Sequence, residues 1–419
     1  MTTVKYYNSG MPGAPQISNN WGDLVNMLDA CLVNGFGLKA IDSLTFANGI
    51  ATATITTGRA YLPNQVVMIS GAEQPEYNGE FRVLSTTTSS FTFAVTGTPV
   101  SPATTTSTLS AKVAPLGWEK PFSGTNRGAY RSKNPQSPQN ILLVDNSLKT
   151  PGYTTTWAKW ANVGIVEDLS DIDTIVGSQA PFDPNYPTQN WKQVAANQWG
   201  WHKWHHARGT QYESAGDSGS GNRNWVLIGD DRLFFLFCTN AAEYNWYGRN
   251  LYCFGDINSF KAGDNYGTVL CSDDNYSGNG SYWSYPGQCD GGGLIHSLDF
   301  TGKVLLRNHT QLGNPVRFGV TSLDTNNSSQ VCGRGPMPFP NGADYSLWLL
   351  PTYVRQEDGH MRGILPGRLW MPQDRPYSDQ TIVDNVVGQA GKKFLLVRSQ
   401  YSNEAEGAQV AFDITGPWR

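Results

Sequence analysis

Charge is scarce in this chain: Asp, Glu, Lys and Arg make up 15% of 419 residues, against roughly 25% in an average globular domain. The formal net charge is −4. Phosphate neutralisation, which dominates nucleic-acid affinity, therefore has no basic footprint to work through, and DNA or RNA is not the expected partner. No run of about 20 apolar residues could cross a bilayer as a helix, so membrane insertion is not expected. Met1 to Gly22 has neither a basic start nor an apolar centre, which argues against a secretory leader and for synthesis in the cytoplasm. Cysteine is sparse as well. Cys31, Cys238, Cys253, Cys271, Cys289 and Cys332 include no C-x-x-C pair, so free thiols are expected rather than a disulfide framework or a metal knuckle. Also missing are a Gly-rich phosphate loop, a dinucleotide fingerprint and a carboxylate pair that context marks as a glycosidase acid and nucleophile. The expectation is a protein without cofactor, metal or catalytic residues, and not an enzyme.

What the chain has is aromatics, at 12%, with 45 Gly and 24 Pro. Frequent turn residues break long helices and favour short strands joined by tight turns. The length exceeds the roughly 250–300 residues at which one core stops growing. These features predict a mainly β, multi-domain protein with a small antiparallel β-module, a larger β-rich body and one short N-terminal amphipathic helix. The divisions read from the sequence are 1–42 (arm and helix), 43–113 (small β-domain) and 114–419 (aromatic body).

The helix is predicted from Trp21 to Val33, because Trp21, Leu24, Val25, Leu28 and Leu32 fall on one face. Asn19 or Asn20 would cap its start and Asn34-Gly35 would end it. Ahead of it, Met11-Pro12-Gly13-Ala14-Pro15 resists helix and central strand alike, so Met1 to Asn20 reads as an extended arm. Thr/Ala alternation at 51–56 and Phe91-Thr92-Phe93 mark strands of the small domain, with hairpin signals at Asn48-Gly49 and Asn78-Gly79. Thr96 to Thr108 reads as a loop. In the body, Trp225-Val226-Leu227-Ile228 and Leu233-Phe234-Phe235-Leu236-Phe237 flank Gly229-Asp230-Asp231-Arg232 as a hairpin buried on both faces. Further strands are expected at 250–254, 266–270, 303–306, 347–350, 393–397 and 409–413.

Four constellations could carry chemistry. Gly216-Asp217-Ser218-Gly219 has the form of a serine-protease nucleophile loop, but no upstream histidine in a separate barrel supports it, and a solvated loop is the better reading. His202, His205 and His206 could present two imidazoles to zinc on a helix, yet no carboxylate or cysteine in the segment completes the shell, which favours a partly exposed aromatic patch. Asp273 to Gly278 has the opening of a calcium loop, but Ser284 stands where a bidentate glutamate belongs. Trp199, Trp201 and Trp204, with Tyr244, Trp246 and Tyr247, are of the residue types that stack on sugars, but aromatics at this density also build β-domain cores and subunit interfaces, and interior or interface is the favoured reading over glycan contact.

Several segments resemble a group of virion proteins from tailed phages and prophages of Gram-negative bacteria. They are Tyr6 to Pro15, Leu28 to Gly37, Ile69-Ser70-Gly71-Ala72 with Tyr77-Asn78-Gly79, Phe91-Thr92-Phe93, Gly117 to Asn126, Arg362 to Gly367 and Asp413 to Arg419. The resemblance covers roughly the first third and the C-terminus and departs between Ala129 and Trp225. It implies a structural protein of the virion, tail or baseplate associated, that assembles with identical subunits and other phage structural proteins, and it supplies no catalytic residues. Capsid decoration, collar or fibre positions, and a tail protein that binds a host surface glycan, are the rival roles. Within this reading Met11, Pro12, Gly13, Ala14, Pro15, Trp21, Leu24, Leu28 and Leu32 are the expected assembly element. The arm would lie on another subunit, and its removal would leave the body folded.

Overall fold

The computed structural model describes residues 3–58, 61–148, 156, 158, 160–182, 193–195, 198–199, 202–207, 220–239, 249–272, 302–321, 338–373, 377–384, 386, 388–399 and 408–419. The protein is mainly β, and every strand pairing in it is antiparallel. A 13-stranded sheet begins with Lys5–Asn8, passes through Trp225–Gly229, Leu233–Thr239, Arg249–Asp256 and Thr268–Cys271, and continues through Lys303–Leu305 and Val316–Thr321 to Leu350–Gln356 and Met361–Trp370. Ala408–Asp413, Phe394–Ser399 and Thr381–Val383 follow, and Asn258–Ser259, paired with Met361–Trp370 off this path, completes it. A six-stranded sheet is formed by Trp118–Gly124, Arg127–Ser132, Ile141–Asp145, Trp160–Asp171, Thr174–Ala180 and Lys203–His205.

Strand Leu233–Thr239 explains how these sheets stack. Successive side chains on a strand point to opposite faces, and all seven residues here are buried. On one face Phe234 meets Trp118 and Trp204 of the six-stranded sheet, with ring centroids 5.4 and 6.1 Å apart. On the other, Phe235 and Phe237 meet Phe412 at 5.1 and 5.7 Å. The long sheet thus folds back over itself, and its first half is the middle of three layers. A continuous apolar run is what a middle layer needs, and the hairpin read from 225–237 has that place.

The N-terminal arm differs from the expectation. Lys5–Asn8 is a strand in register with Val226–Gly229, Tyr7 lying opposite Leu227. Tyr7 is buried, its ring 5.8 Å from Phe36 and its hydroxyl donating to the Ala114 carbonyl at 2.7 Å. Lys5 Nζ bonds Glu80 at 2.6 Å and also the Pro115 carbonyl. Met11, Ala14 and Ile17 are buried, and Ile17 bridges to Arg223. The apolar surface that this segment lacks is supplied by the chain's own body, not by another subunit.

The helix is shorter and less regular than its periodicity suggests. An α-helix, Asp23–Leu28, passes directly into a π-helical turn, Asp29–Asn34. The wider turn frees carbonyls, and those of Cys31 and Leu32 accept from the amides of Leu116 and Gly117 at 2.9 and 3.2 Å. Neither Asn19 nor Asn20 caps the start. Instead Asn146 Oδ1, from a distant loop, accepts from the amides of Gly22 and Leu24 at 2.8 and 3.3 Å. Leu24, Leu28 and Leu32 are fully buried, so the predicted docking face is an interior face.

Residues 36–113 form a seven-stranded sheet ordered Phe36–Ala40, Ser110–Val113, Val66–Ser70, Gly79–Thr86, Ser90–Ala94, Ile50–Thr54 and Ser43–Ala47. Asn48 and Gly49 both have positive φ, 51° and 80°, as a type I′ hairpin requires. Asn78 does not, with φ −91°. Its side chain ties back to Ala72, accepting from the amide at 3.1 Å and donating to the carbonyl at 2.8 Å. The sheet is joined to the body through Lys5 and through Arg82, which donates to the Val4 carbonyl at 3.0 Å.

Candidate functional site

Residues 202–207 of the Trp/His segment are interior, not a surface patch. Lys203–His205 is a strand paired with Trp160–Asn162, which removes the helical face that two zinc-binding histidines would need. Trp204 stacks on Tyr252, ring centroids 5.6 Å apart and planes 16° apart, and donates from Nε1 to the Cys271 carbonyl at 2.9 Å. His202, His205 and His206 are buried. Trp204 therefore cannot offer its face to a glycan. Trp199 lies in the short strand Gln198–Trp199, and Trp201, Tyr244, Trp246, Tyr247, the 216–219 loop and the 273–284 loop lie outside the described residues. The four described cysteines, Cys31, Cys238, Cys253 and Cys271, are buried thiols in no disulfide with one another.

His206 is strongly perturbed by its surroundings. Burial, aided by the charges of Arg223 and His205, lowers its pKa from 6.5 to about 3. The unfolded chain takes up this proton near 6.5 while the folded chain refuses it until about 3. Stability is then unimpaired above the higher value and falls as pH drops through the window between the two. Denaturant unfolding at stepped pH is expected to show that decline, and the His206 ring proton signal is expected not to titrate near 6.5.

The segments that carry the resemblance meet one another. Trp118 donates from Nε1 to the Asp230 carbonyl at 3.0 Å, and Arg419 bonds the Asp230 carboxylate at 2.6 Å. Trp418 lies against Gly367, where a Cβ would come within 1.9 Å of the indole and where φ is +75°, so only glycine serves. These residues close the fold around its two ends.

One polar cluster among the described residues has the make-up of a ligand site, and the sequence reading missed it. Leu350–Gln356 and Met361–Trp370 are joined by a tight turn in which the Gln356 amide donates to the His360 carbonyl at 2.8 Å. The turn sets Asp358 and His360 side by side, Oδ1 to Nδ1 3.0 Å. From the loop after Lys303–Leu305, His309 stacks on His360 with ring centroids 3.9 Å apart. Arg362 fixes the floor: it forms a paired contact with Asp264 at 2.8 and 2.8 Å, and donates to the Arg307 carbonyl at 3.1 Å and to Gln356 Oε1 at 2.7 Å. With its oxygen held, the Gln356 amide nitrogen turns to both Asp358 oxygens, at 3.2 Å each, and toward His309 Nδ1, at 3.4 Å. Burial alone would raise the Asp358 carboxyl, but hydrogen bonds from the His360 amide and ring and from Gln356 outweigh it and hold it below the usual carboxylate range.

Beside this cluster lies a second feature. Leu350–Gln356 and Met361–Trp370 turn Thr352, Val354, Leu365 and Arg362 inward, whereas Tyr353 and Ile364 lie opposite each other on the outer face. Asn258–Ser259 pairs alongside, and Phe260 extends that face, its ring 6.5 Å from Tyr353. Phe260 is 58% exposed and Met361 42%. At the other end of these strands, Leu369 and neighbouring residues pack into a small cluster around Met371, Phe394, Leu396 and Ala411. The chain matches no protein-family model and no curated protein sequence.

Proposed function

We propose that this chain is a structural component of a tailed-phage virion, tail or baseplate associated, that works through contacts with identical and neighbouring subunits. The observation that carries this reading is the outer face on which Phe260 and Met361 are exposed beside half-buried Tyr353 and Ile364, four large apolar side chains grouped on neighbouring strands. Contiguous exposed apolar residues mark interaction surfaces, and aromatic and Met side chains are enriched where subunits meet. Low charge fits the same use, because contacts of this kind persist in salt that screens ion pairs. The resemblance of the terminal and early segments to virion proteins supports the class of particle. The assembly surface is thereby moved from the N-terminal arm, which the body has taken for itself, to the rim of the long sheet.

The test is the double variant Phe260→Glu/Met361→Glu. Both positions are exposed, so circular dichroism should remain that of the wild type. Wild-type chain should self-associate in light scattering and enter particles, and the variant should do neither. A wild-type chain that stays monomeric at all concentrations, together with normal incorporation of the variant, overturns the reading.

A further inference from the structure

We infer that His309, Asp358 and His360 form a binding site for a divalent transition metal, with zinc the best fit, that clasps the loop after Lys303–Leu305 to the turn between Leu350–Gln356 and Met361–Trp370. Each residue offers one ligand atom, and the three atoms lie within 4.8 Å of one another. Tetrahedral zinc, with bonds of about 2.0–2.2 Å to nitrogen and oxygen, needs ligand atoms roughly 3.4 Å apart. The Asp358–His360 separation of 3.0 Å is already in that range. His360 and Asp358 have side chains 56% and 45% exposed, so closing the remaining distance from His309 disturbs no core packing.

The donor set decides the class of ion. Two imidazoles and one carboxylate suit zinc and its transition-metal neighbours, whereas magnesium and calcium take oxygen ligands. Support behind the ligands has the form that metal sites require, in which ligands are oriented by hydrogen bonds to groups that do not touch the ion. Gln356 fills that place for Asp358, to both of whose oxygens its amide nitrogen donates, and it is anchored in turn by Arg362 and Asp264. Three protein ligands leave the fourth position open to water or to a donor from a neighbouring molecule.

The inference is independent of the assembly reading, and its test uses the purified full-length chain alone. After treatment with chelator, the chain is titrated with Zn2+ against a chromophoric competitor, and thermal unfolding is followed with Zn2+ and, separately, with Mg2+. One tight Zn2+ per chain is expected, with a rise in melting temperature that equal Mg2+ does not produce. His360→Gln, at an exposed position, and His309→Gln should each abolish the tight binding and the rise while leaving the metal-free melting temperature unchanged. Asp358→Asn should weaken both. Zn2+ binding that persists undiminished in the double histidine variant, or no tight binding by the wild type, overturns the site.

Discussion

Deletion of residues 1–20 is expected to abolish the folded state of the body rather than merely its assembly. The deletion removes Val4, Tyr6, Tyr7, Met11 and Ile17, all buried, and bares the edge of Trp225–Gly229 in the middle layer. Truncating one buried aromatic ring to alanine costs about 3–5 kcal/mol. Total stability of a domain is typically about 5–15 kcal/mol, so the loss of five buried side chains and a strand exceeds what the fold can absorb. The freed edge also presents unpaired backbone groups, which invite aggregation. Circular dichroism and size-exclusion chromatography should show a chain that is insoluble or lacks a cooperative transition. A truncated chain that melts within a few degrees of the wild type would show that the strand is dispensable. Tyr7→Ala is the milder version and should lower stability by about 3–5 kcal/mol in urea unfolding.

The Arg362→Met variant should lose comparable stability from the other half of the long sheet. Arg362 and Asp264 have side chains only 1% and 2% exposed. Removing one partner of a buried pair leaves the other charge uncompensated, at a cost of about 3–5 kcal/mol. Gln356 and the carbonyls of Arg307 and Tyr266 lose their donor as well. The pair also implies a pH dependence. Burial would raise the Asp264 carboxyl, but Arg362 and the Ser259 hydroxyl outweigh it and lower it from 3.8. The pair's contribution is then fully present above that value and is lost as pH falls below it. Urea unfolding at pH 7 should show the deficit of the variant, and the gap between variant and wild type should narrow in strong acid. A variant with an unchanged midpoint would mean that the pair is energetically neutral.

Legibility of the fold in the sequence followed how local each determinant is. The 225–237 hairpin was readable because its partner strands are adjacent and both are apolar throughout. The 43–54 hairpin was readable from Thr/Ala alternation and from Asn48-Gly49, whose two positive φ angles no other pairing of residues suits as well. Lys5–Asn8 was not readable: four residues with one apolar-polar alternation carry little strand signal, and their partner lies at Val226–Gly229. Met361–Trp370 was hidden by Gly363, Pro366 and Gly367, which argue against a strand until Trp418 is seen lying on Gly367. His202, His205 and His206 were read as a partly exposed patch because aromatic content does not tell which side of a sheet a residue faces, whereas Trp204 is interior, as favoured. For the His309 cluster, the only local signal was Asp358-Gly359-His360, a turn that puts a carboxylate and an imidazole two residues apart. His309 joins it only through the pairing of distant strands.

The pairing of the first strand sets an order of events during synthesis. Lys5–Asn8 is made well before Val226–Gly229, with which it must pair, and Arg419, made later still, is the residue that bonds Asp230. At translation rates of about 5–20 residues per second, the N-terminal segment waits on the order of ten seconds or more without its partner. Long-range antiparallel pairing of this kind also folds slowly once the chain is complete. The nascent chain thus carries Tyr6, Tyr7 and Met11 without their native partners in the interval, and its yield in a cell should depend on chaperone capacity more steeply than its final stability would indicate.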